Sequence, residues 1–445
     1  MLITHAQVAT LGENPKLITD GAILIKGTNI ADIGSTQALS MANPQEERID
    51  AEGQVALPAT LCGHTHFYGA FARGWAFPGS PPRKFSEILE RIWWRLDKAL
   101  TPEDIRYSAL VCLADAIRHG TTTLIDHHAS PHAITGSLDI IAETVRKSGI
   151  RAALCYEVSD RDGPARVQEG IAENMRFIRQ MTDKPDPQLG AIFGLHASLT
   201  LSDETLADAV SATGKDHTGF HIHAAEGEED VEDSIRKSGK RVIHRLHDAG
   251  ILGSHSILAH AVHVDASEID RLSETRTWVT HQPRSNMNNA VGFARVQEML
   301  DRGVKVALGN DGFSNNMFAE MKTAYLGHKL VSGNPQAMPA NTVFDLAFAS
   351  NARLSRLFWP NQRLGVLETG ATADIILIDY KPTTPLTAGN LPWHIIFGYE
   401  ASAITTTISQ GRILMRDRQL LTLDEGEITA RSRELAHTLW ARIDT

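Results

Sequence analysis

Two histidines spaced two residues apart, His64 and His66, close the apolar run that starts at Val55 and ends at Gly63. On an extended strand, side chains alternate between faces. Both imidazoles therefore leave the same face, at a separation one metal ion can bridge. Polar groups of the same kind recur downstream as His127 with His128, His196, His223 with Glu226, His260 with His263, His281, and Asp311. Each falls at the end of an apolar run, where a buried strand would ordinarily finish in apolar or turn residues. One such histidine is unremarkable, but burying so many without a shared ligand would be costly.

Four metal ligands follow from this geometry: His64 and His66, one histidine of the fifth run, and Asp311. Imidazole nitrogen combined with a carboxylate oxygen suits zinc or iron(II), with a water completing an open site. The fifth run offers His221 and His223, two apart on one face. His223 is nearer the run's end and stands three residues before Glu226, which brings that carboxylate close to the ion without chelating it. His221 lies deeper and is expected to pack.

The elements that must position these groups are eight strand-like runs: Val55–His66, Thr121–His128, Arg151–Val158, Leu189–Ser198, Gly219–Glu226, Ser256–Val264, Thr277–Asn286 and Lys305–Gly312. Amphipathic stretches separate them, such as Ser137 to Lys147 with Leu138, Ile141, Ala142 and Val145 on one face. Strands alternating with helices imply a parallel sheet, and eight of them an α/β fold of the (β/α)8 TIM-barrel type. The polar residues then crowd the C-terminal rim, where barrels of this kind keep their active sites. Thr101-Pro102-Glu103-Asp104 reads as a capped helix start. Phe71–Pro82, rich in Gly and Pro, reads as a loop, either one that covers a substrate or a plain connection.

Both ends of the chain carry short β-branched runs broken by turn residues, and neither set is large enough to stand alone. They are expected to combine into a small β-sandwich from residues 1–55 and 361–425. The barrel spans 56–360, and a C-terminal helix spans 426–445 with Ala430, Leu435, Leu439 and Ile443 on one face.

The net charge of -10 over 445 residues includes no basic cluster, so nucleic acid and anionic membranes are poor partners. No apolar run is long enough to span a bilayer. Cys62, Cys112 and Cys155 are too few and too dispersed for a disulfide framework, which suits a reducing cytoplasm. A small, neutral or cationic molecule fits better as a partner, and a homodimer stays open.

Together, the His-x-His of the first run, His223-Ala224-Ala225-Glu226, the sixth-run segment Leu258 to His263, Thr280-His281-Gln282-Pro283-Arg284-Ser285-Asn286 and Leu308-Gly309-Asn310-Asp311-Gly312 resemble the amidohydrolase superfamily. Within it they look like the deaminase and chlorohydrolase branch. The stretches His64 to Gly74 and Trp93 to Leu100 are most similar to the SsnA-type aminohydrolases. The resemblance implies a metal-dependent hydrolase that releases ammonia from an amino-substituted purine, pterin or pyrimidine. The ion would lower the pKa of a water to roughly 7. Asp311 would take that water's proton, Glu226 would protonate a ring nitrogen, and His260 would orient the nucleophile. His196, His281, Arg284 and Trp93 would contact the substrate.

Two departures from the family pattern refine this expectation. Binuclear members carry a carbamylated lysine on the fourth strand, whereas this one ends Gly194-Leu195-His196-Ala197-Ser198, implying one divalent ion per chain, zinc before iron. Methylthioadenosine deaminases place a ribose-binding glutamate near the position of Trp93 to Leu96. None stands there, so a free base is expected ahead of its nucleoside. Hydrolytic dechlorination and cyclic amide cleavage need the same nucleophile and remain alternatives; a metal-free scaffold would need missing ligands, and none is missing.

Overall fold

The computed structural model describes residues 1–76, 78–214 and 219–444. Parallel strands make up two sheets. One contains Thr60–Thr65, Thr121–Asp126, Arg151–Leu154 and Leu189–Ala191; the other contains Phe193–Ala197, Phe220–Ala224, Ile257–His260, Trp278–His281 and Lys305–Leu308. Helices connect most successive strands, and the strands are almost wholly buried, as a parallel sheet with both faces covered requires.

Hydrogen bonds cross both seams between the two sheets. At one, Val158 pairs in parallel with Leu195, and His196 N donates to Val158 O at 2.9 Å. At the other, Asn310 N donates to His64 O at 2.9 Å. Gly309 permits that approach, because a Cβ there would lie 2.8 Å from the His64 carbonyl oxygen.

Two of the expected strands are interrupted. The run Leu189–Ser198 breaks at Ile192, whose N–H donates back to Leu154 O, while Phe193 N turns to Gly219 O. The chain changes hydrogen-bonding partner there, passing from one sheet to the other. The run Val55–His66 is likewise two strands. Val55–Pro58 pairs with Leu2–Ala9 and Ile375–Ile378, and Thr60–Thr65 pairs with Thr121–Asp126. Pro58 has no N–H to extend a ladder, and Ala59 N donates to Asp374 O at 3.0 Å.

The two ends of the chain meet in one nine-stranded sheet. From one edge it runs Gln419–Leu420, Arg412–Arg416, Ile404–Ser409, Ile375–Ile378, Val55–Pro58, Leu2–Ala9, Leu17–Lys26 and Asn29–Ser35, with Arg48–Asp50 beside Leu2–Ala9. Isoleucine and threonine dominate Ile375–Ile378 and Ile404–Ser409, whose branched side chains suit a pleated surface. This sheet is fastened to the parallel strands by a fully buried ion pair, with Arg151 Nη2 donating to Asp374 Oδ1 at 3.0 Å.

Pro102–Arg118 begins with the capping box that its sequence announces: Thr101 N donates to Asp104 Oδ2 at 2.8 Å, and Asp104 N to Thr101 Oγ1 at 3.3 Å. The helix Glu425–Asp444 packs against it and buries Ile428, Leu435, Leu439 and Ile443. Ala430 is exposed instead, because the buried stripe is set from Ile428; Thr445 lies outside the described residues. The segment Phe71–Pro82 starts inside a short 3-10 helix, Tyr68–Ala72, and continues without regular structure; Phe77 lies outside the described residues. No helix among the described residues is long and apolar enough to cross a membrane.

Candidate active site

The polar strand ends converge on one rim. Their placement calls for unusual backbone: Ala225, His260, Ala261 and Asp311 all hold positive φ, from 47° to 75°. Such conformations cost side-chain-bearing residues free energy and persist where the surroundings over-determine them, commonly at functional sites.

At the centre, His66 Nε2 lies 3.1 Å from His223 Nε2, while Asp311 Oδ1 lies 3.0 Å from both His64 Nε2 and His66 Nε2. The remaining ring nitrogens are committed elsewhere. His66 Nδ1 donates to His127 O at 2.6 Å, and His223 Nδ1 donates to His196 O at 2.7 Å. His64 Nδ1 faces His221 Nε2 at 2.9 Å. Neutral imidazoles so oriented aim lone pairs, not protons, at the shared centre. His64, His66 and His223 each turn a ring nitrogen, and Asp311 an oxygen, toward one another, a donor set that suits a divalent cation; His64, His223 and Asp311 also group with His260, and the three histidines with His127. His221 stacks on His127 with ring centroids 4.4 Å apart and sits behind His64, away from the shared centre.

The ionisable groups of the rim are displaced from their ordinary ranges. Burial pushes Asp311 up, but the His260, His64 and His66 imidazoles outweigh it and hold the carboxyl well below the usual range. Burial and the neighbouring charge of Asp311 raise Glu226 to about 7, against the opposing pull of His260. Burial lowers His64 to about 4, despite its bond to Asp311. Glu226 Oε2 stands 3.4 Å from His260 Nε2, and Glu226 Oε1 accepts from Asn289 Nδ2 at 3.3 Å. His260 Nδ1 donates to Asn286 Oδ1 at 2.8 Å, which aims its Nε2 toward Glu226 and toward Asp311 Oδ2, 3.7 Å away. Ser285 Oγ donates to Asp311 Oδ2.

A cavity of about 610 Å³ opens onto this rim. His66, His223, Glu226 and Asp311 are on its wall, with Tyr68, Trp93 and His196 beside them, and it extends to Arg73, Asp115 and Asn315. Ala72 and Arg73 on one side and Phe85 on the other bring the ends of the irregular loop to its edge. A concave, largely apolar site with a few fixed polar groups is the form in which small-molecule sites generally occur.

Of the residues expected to contact substrate, Trp93 and His196 line the cavity, whereas His281 and Arg284 do not. His281 is fully buried between Phe293 and His328, at centroid distances of 5.1 and 5.2 Å. Arg284 spends its guanidinium on Glu320, on Ser314 Oγ and on Ser314 O, fastening the loop after Asp311. Sequence reasoning passed over Glu157, a buried carboxylate behind His66, as well as Ser285 and Asn289. Glu157 was signalled by a lone acid near the end of the one strand run without an assigned polar group.

Such a rim, on parallel strands whose loops wall a cavity, defines a hydrolase centre built for a metal ion. The chain belongs to the amidohydrolase family, whose model matches residues 55–414. It is 32% identical to the 5'-deoxyadenosine deaminase of Methanosarcina mazei, covering 100% of this chain and 99% of that one. It is also 32% identical to the 5-methylthioadenosine/S-adenosylhomocysteine deaminase of Pelotomaculum thermopropionicum, covering 98% of each. Among solved structures, a zinc-bound adenosine deaminase from Xanthomonas campestris superposes with a TM-score of 0.85 at 22% identity over 98% of each chain.

Proposed function

We propose that this protein is a hydrolytic deaminase that releases ammonia from an amino-substituted nitrogen heterocycle, using one divalent ion, zinc before iron, held by His64, His66, His223 and Asp311. The observation that carries the proposal is the placement of Glu226. It is a buried acid raised to about 7, on the cavity wall with His223, Asp311 and His66. An acid with this pKa can both hold and release a proton at neutral pH.

When bound, the ion lowers the pKa of a water to roughly 7 and so makes hydroxide available at neutral pH. Asp311 Oδ2, steadied by Ser285, accepts the proton that water gives up. Glu226, positioned by Asn289, delivers a proton to the ring nitrogen beside the amino-bearing carbon. His260, oriented by Asn286, steers attack on that carbon and stabilises the charge that develops there. The proton held on Asp311 then passes to the amino group, which leaves as ammonia, and the proton of the added hydroxyl returns to Glu226 as the carbonyl forms, so both carboxylates end as they began. Trp93 and Tyr68 offer aromatic faces and edges to a flat ring, and His196 offers a polar contact.

The cavity continues beyond the rim to Arg73, Asp115 and Asn315, which is more room than a bare bicyclic base fills. Both relatives described above are named for nucleosides. On these grounds the ring is proposed to carry a substituent, which revises the free-base expectation drawn from the missing glutamate. The two parallel sheets are further proposed to be halves of one closed eight-stranded barrel, supported by the hydrogen bonds across both seams. The nine-stranded sheet is proposed to fold into a sandwich around Ile3, Val8, Ile23, Ile375 and Leu377. The cytoplasm is the proposed compartment, in keeping with three free cysteines.

The test is ammonia release by the metal-loaded enzyme across purines, pterins, pyrimidines and triazines, with each purine offered both as base and as nucleoside. Turnover of an amino-substituted ring supports the reading. Chloride release from a chlorinated triazine, with no ammonia from any amino-substituted ring, overturns it.

A further inference from the structure

Glu157 follows the strand Arg151–Leu154, and its backbone N–H donates to His128 O at 2.8 Å. Its side chain is 1% exposed, yet neither carboxylate oxygen has a close hydrogen-bond partner. Four imidazoles surround it instead, those of His66, His127, His196 and His223, the last with a ring nitrogen within 4.8 Å of the carboxylate. His66 Nδ1 and His127 Nδ1 each lie 3.3 Å from Oε1, and His196 Nε2 lies 3.7 Å from Oε2.

The tautomers explain why this carboxylate is poorly served. His127 donates its Nε2–H to His221 O at 3.1 Å, so its Nδ1 carries no proton in the neutral ring. His196 donates its Nδ1–H to Thr200 Oγ1 at 2.7 Å, which leaves Nε2 bare. Only His66 Nδ1–H points usefully, and it is shared with the His127 carbonyl at 2.6 Å. A buried carboxylate with one shared donor would be expensive unless its charge is answered by positive charge nearby. Arg161 is close enough to contribute to that answer, but one of its nitrogens is bound to Asp97 at 2.7 Å.

The two neighbouring ligands are backed differently. Behind His223 is a backbone carbonyl, and behind His64 is a neutral ring, His221. Among the described residues, Glu157 is thus the one full negative charge set directly behind an imidazole of the proposed centre.

We propose that Glu157 is a positioning residue for the metal centre, which acts through His66 by fixing that ring's orientation and strengthening the donor power of Nε2. The proposal rests on the metal-dependent reading above. A carboxylate behind a ligating histidine generally makes the ring more basic and locks its tautomer, and its loss typically costs 10- to 100-fold in metal affinity. Glu157 itself coordinates nothing in this scheme.

The test uses the full-length protein, stripped of metal and titrated with zinc against a chromophoric chelator, and separately loaded with cobalt(II) for its visible spectrum. Glu157→Gln keeps the shape and removes the charge. The expected result is a zinc Kd weakened by roughly 10- to 100-fold, a changed cobalt spectrum, and a metal-free Tm no lower than that of the parent. Glu157→Asp, which keeps the charge, is expected to recover part of the affinity and serves if the glutamine variant folds poorly. An unchanged Kd and spectrum in Glu157→Gln, alongside loss of the ion in His66→Ala, overturns the proposal and leaves the metal reading standing. A parent protein that binds no ion overturns both. Two ions in the parent and one in Glu157→Gln would make Glu157 a ligand, which also overturns the proposal.

Discussion

His66 Nε2 and His223 Nε2 face each other at 3.1 Å, although each ring already donates its other N–H to a backbone carbonyl. Two lone pairs held this close repel unless a proton or a cation lies between them. With His64 Nε2 and Asp311 Oδ1 in reach of the same point, the proposed divalent ion would satisfy all four donors at once. Purified protein is therefore expected to carry about one such ion per chain, and His66→Ala to lose it. Elemental analysis is the measurement; two ions per chain, or full retention in His66→Ala, would count against the ligand set. Chelation should lower Tm, because an ion that binds only the folded state stabilises it by mass action.

Glu226→Gln separates the acid from the ligands. The variant should retain its ion, yet lose on the order of 10²–10⁴ in kcat, the usual contribution of a positioned proton donor. Glu226 is raised to about 7, by burial first and by Asp311 second. Because the acid must be protonated to act, the parent's kcat should fall as pH rises through that value, and this alkaline limb should be missing from the variant's residual rate. Loss of the ion together with activity would show that Glu226 is a ligand.

The rim was legible in the sequence because its chemistry is local. His64 and His66 share a strand face by spacing alone, and His223 and Glu226 fall where a fifth strand ends. Other features depend on partners that spacing does not reveal. Nothing in Val55 to Thr65 says that its first half is bonded to Ile375–Ile378 and its second to Thr121–Asp126, since both halves are equally apolar and the choice of sheet is made by distant strands. Glu157 belongs to the same class: a lone acid has no periodic signature, and only folding brings it to His66, 91 residues earlier in the chain. Arg284 reads as a substrate contact by its position after His281, and the partner that claims it, Glu320, lies on a later helix.

Arg284 gives the third prediction. Glu320 is fully buried, and burial raises it to about 7 even though Arg284 pulls the other way. Arg284→Met would leave that carboxylate without its cation, at a cost on the order of 3 kcal/mol in stability. The loss should be greatest above pH 7, where Glu320 is charged, and smaller below it, where the carboxyl takes up a proton. Denaturant melts at pH 6 and pH 8 measure both the loss and its direction. A raised KM in a variant of unchanged stability would instead return Arg284 to the list of substrate contacts.

The last prediction concerns which tryptophan meets the substrate. Trp93 ends the π-helical turn Leu89–Trp93, a feature frequent at functional sites, and lines the cavity beside Tyr68, with ring centroids 6.4 Å apart. Gly69 makes room for it, since a Cβ there would come within 3.2 Å of the indole. Trp94 turns the other way, with the Arg161 guanidinium 5.1 Å from its ring, and is not on the cavity wall. A stacked aromatic contact contributes about 0.5–1.5 kcal/mol beyond area burial. Trp93→Ala should therefore raise KM for the deaminated ring by roughly two- to tenfold, with kcat changed less, while Trp94→Ala should lower Tm and leave KM nearly unchanged. Measuring KM, kcat and Tm for both variants decides the assignment: a KM effect confined to Trp94→Ala would place the ring on the other side of the rim, against His196 rather than Tyr68.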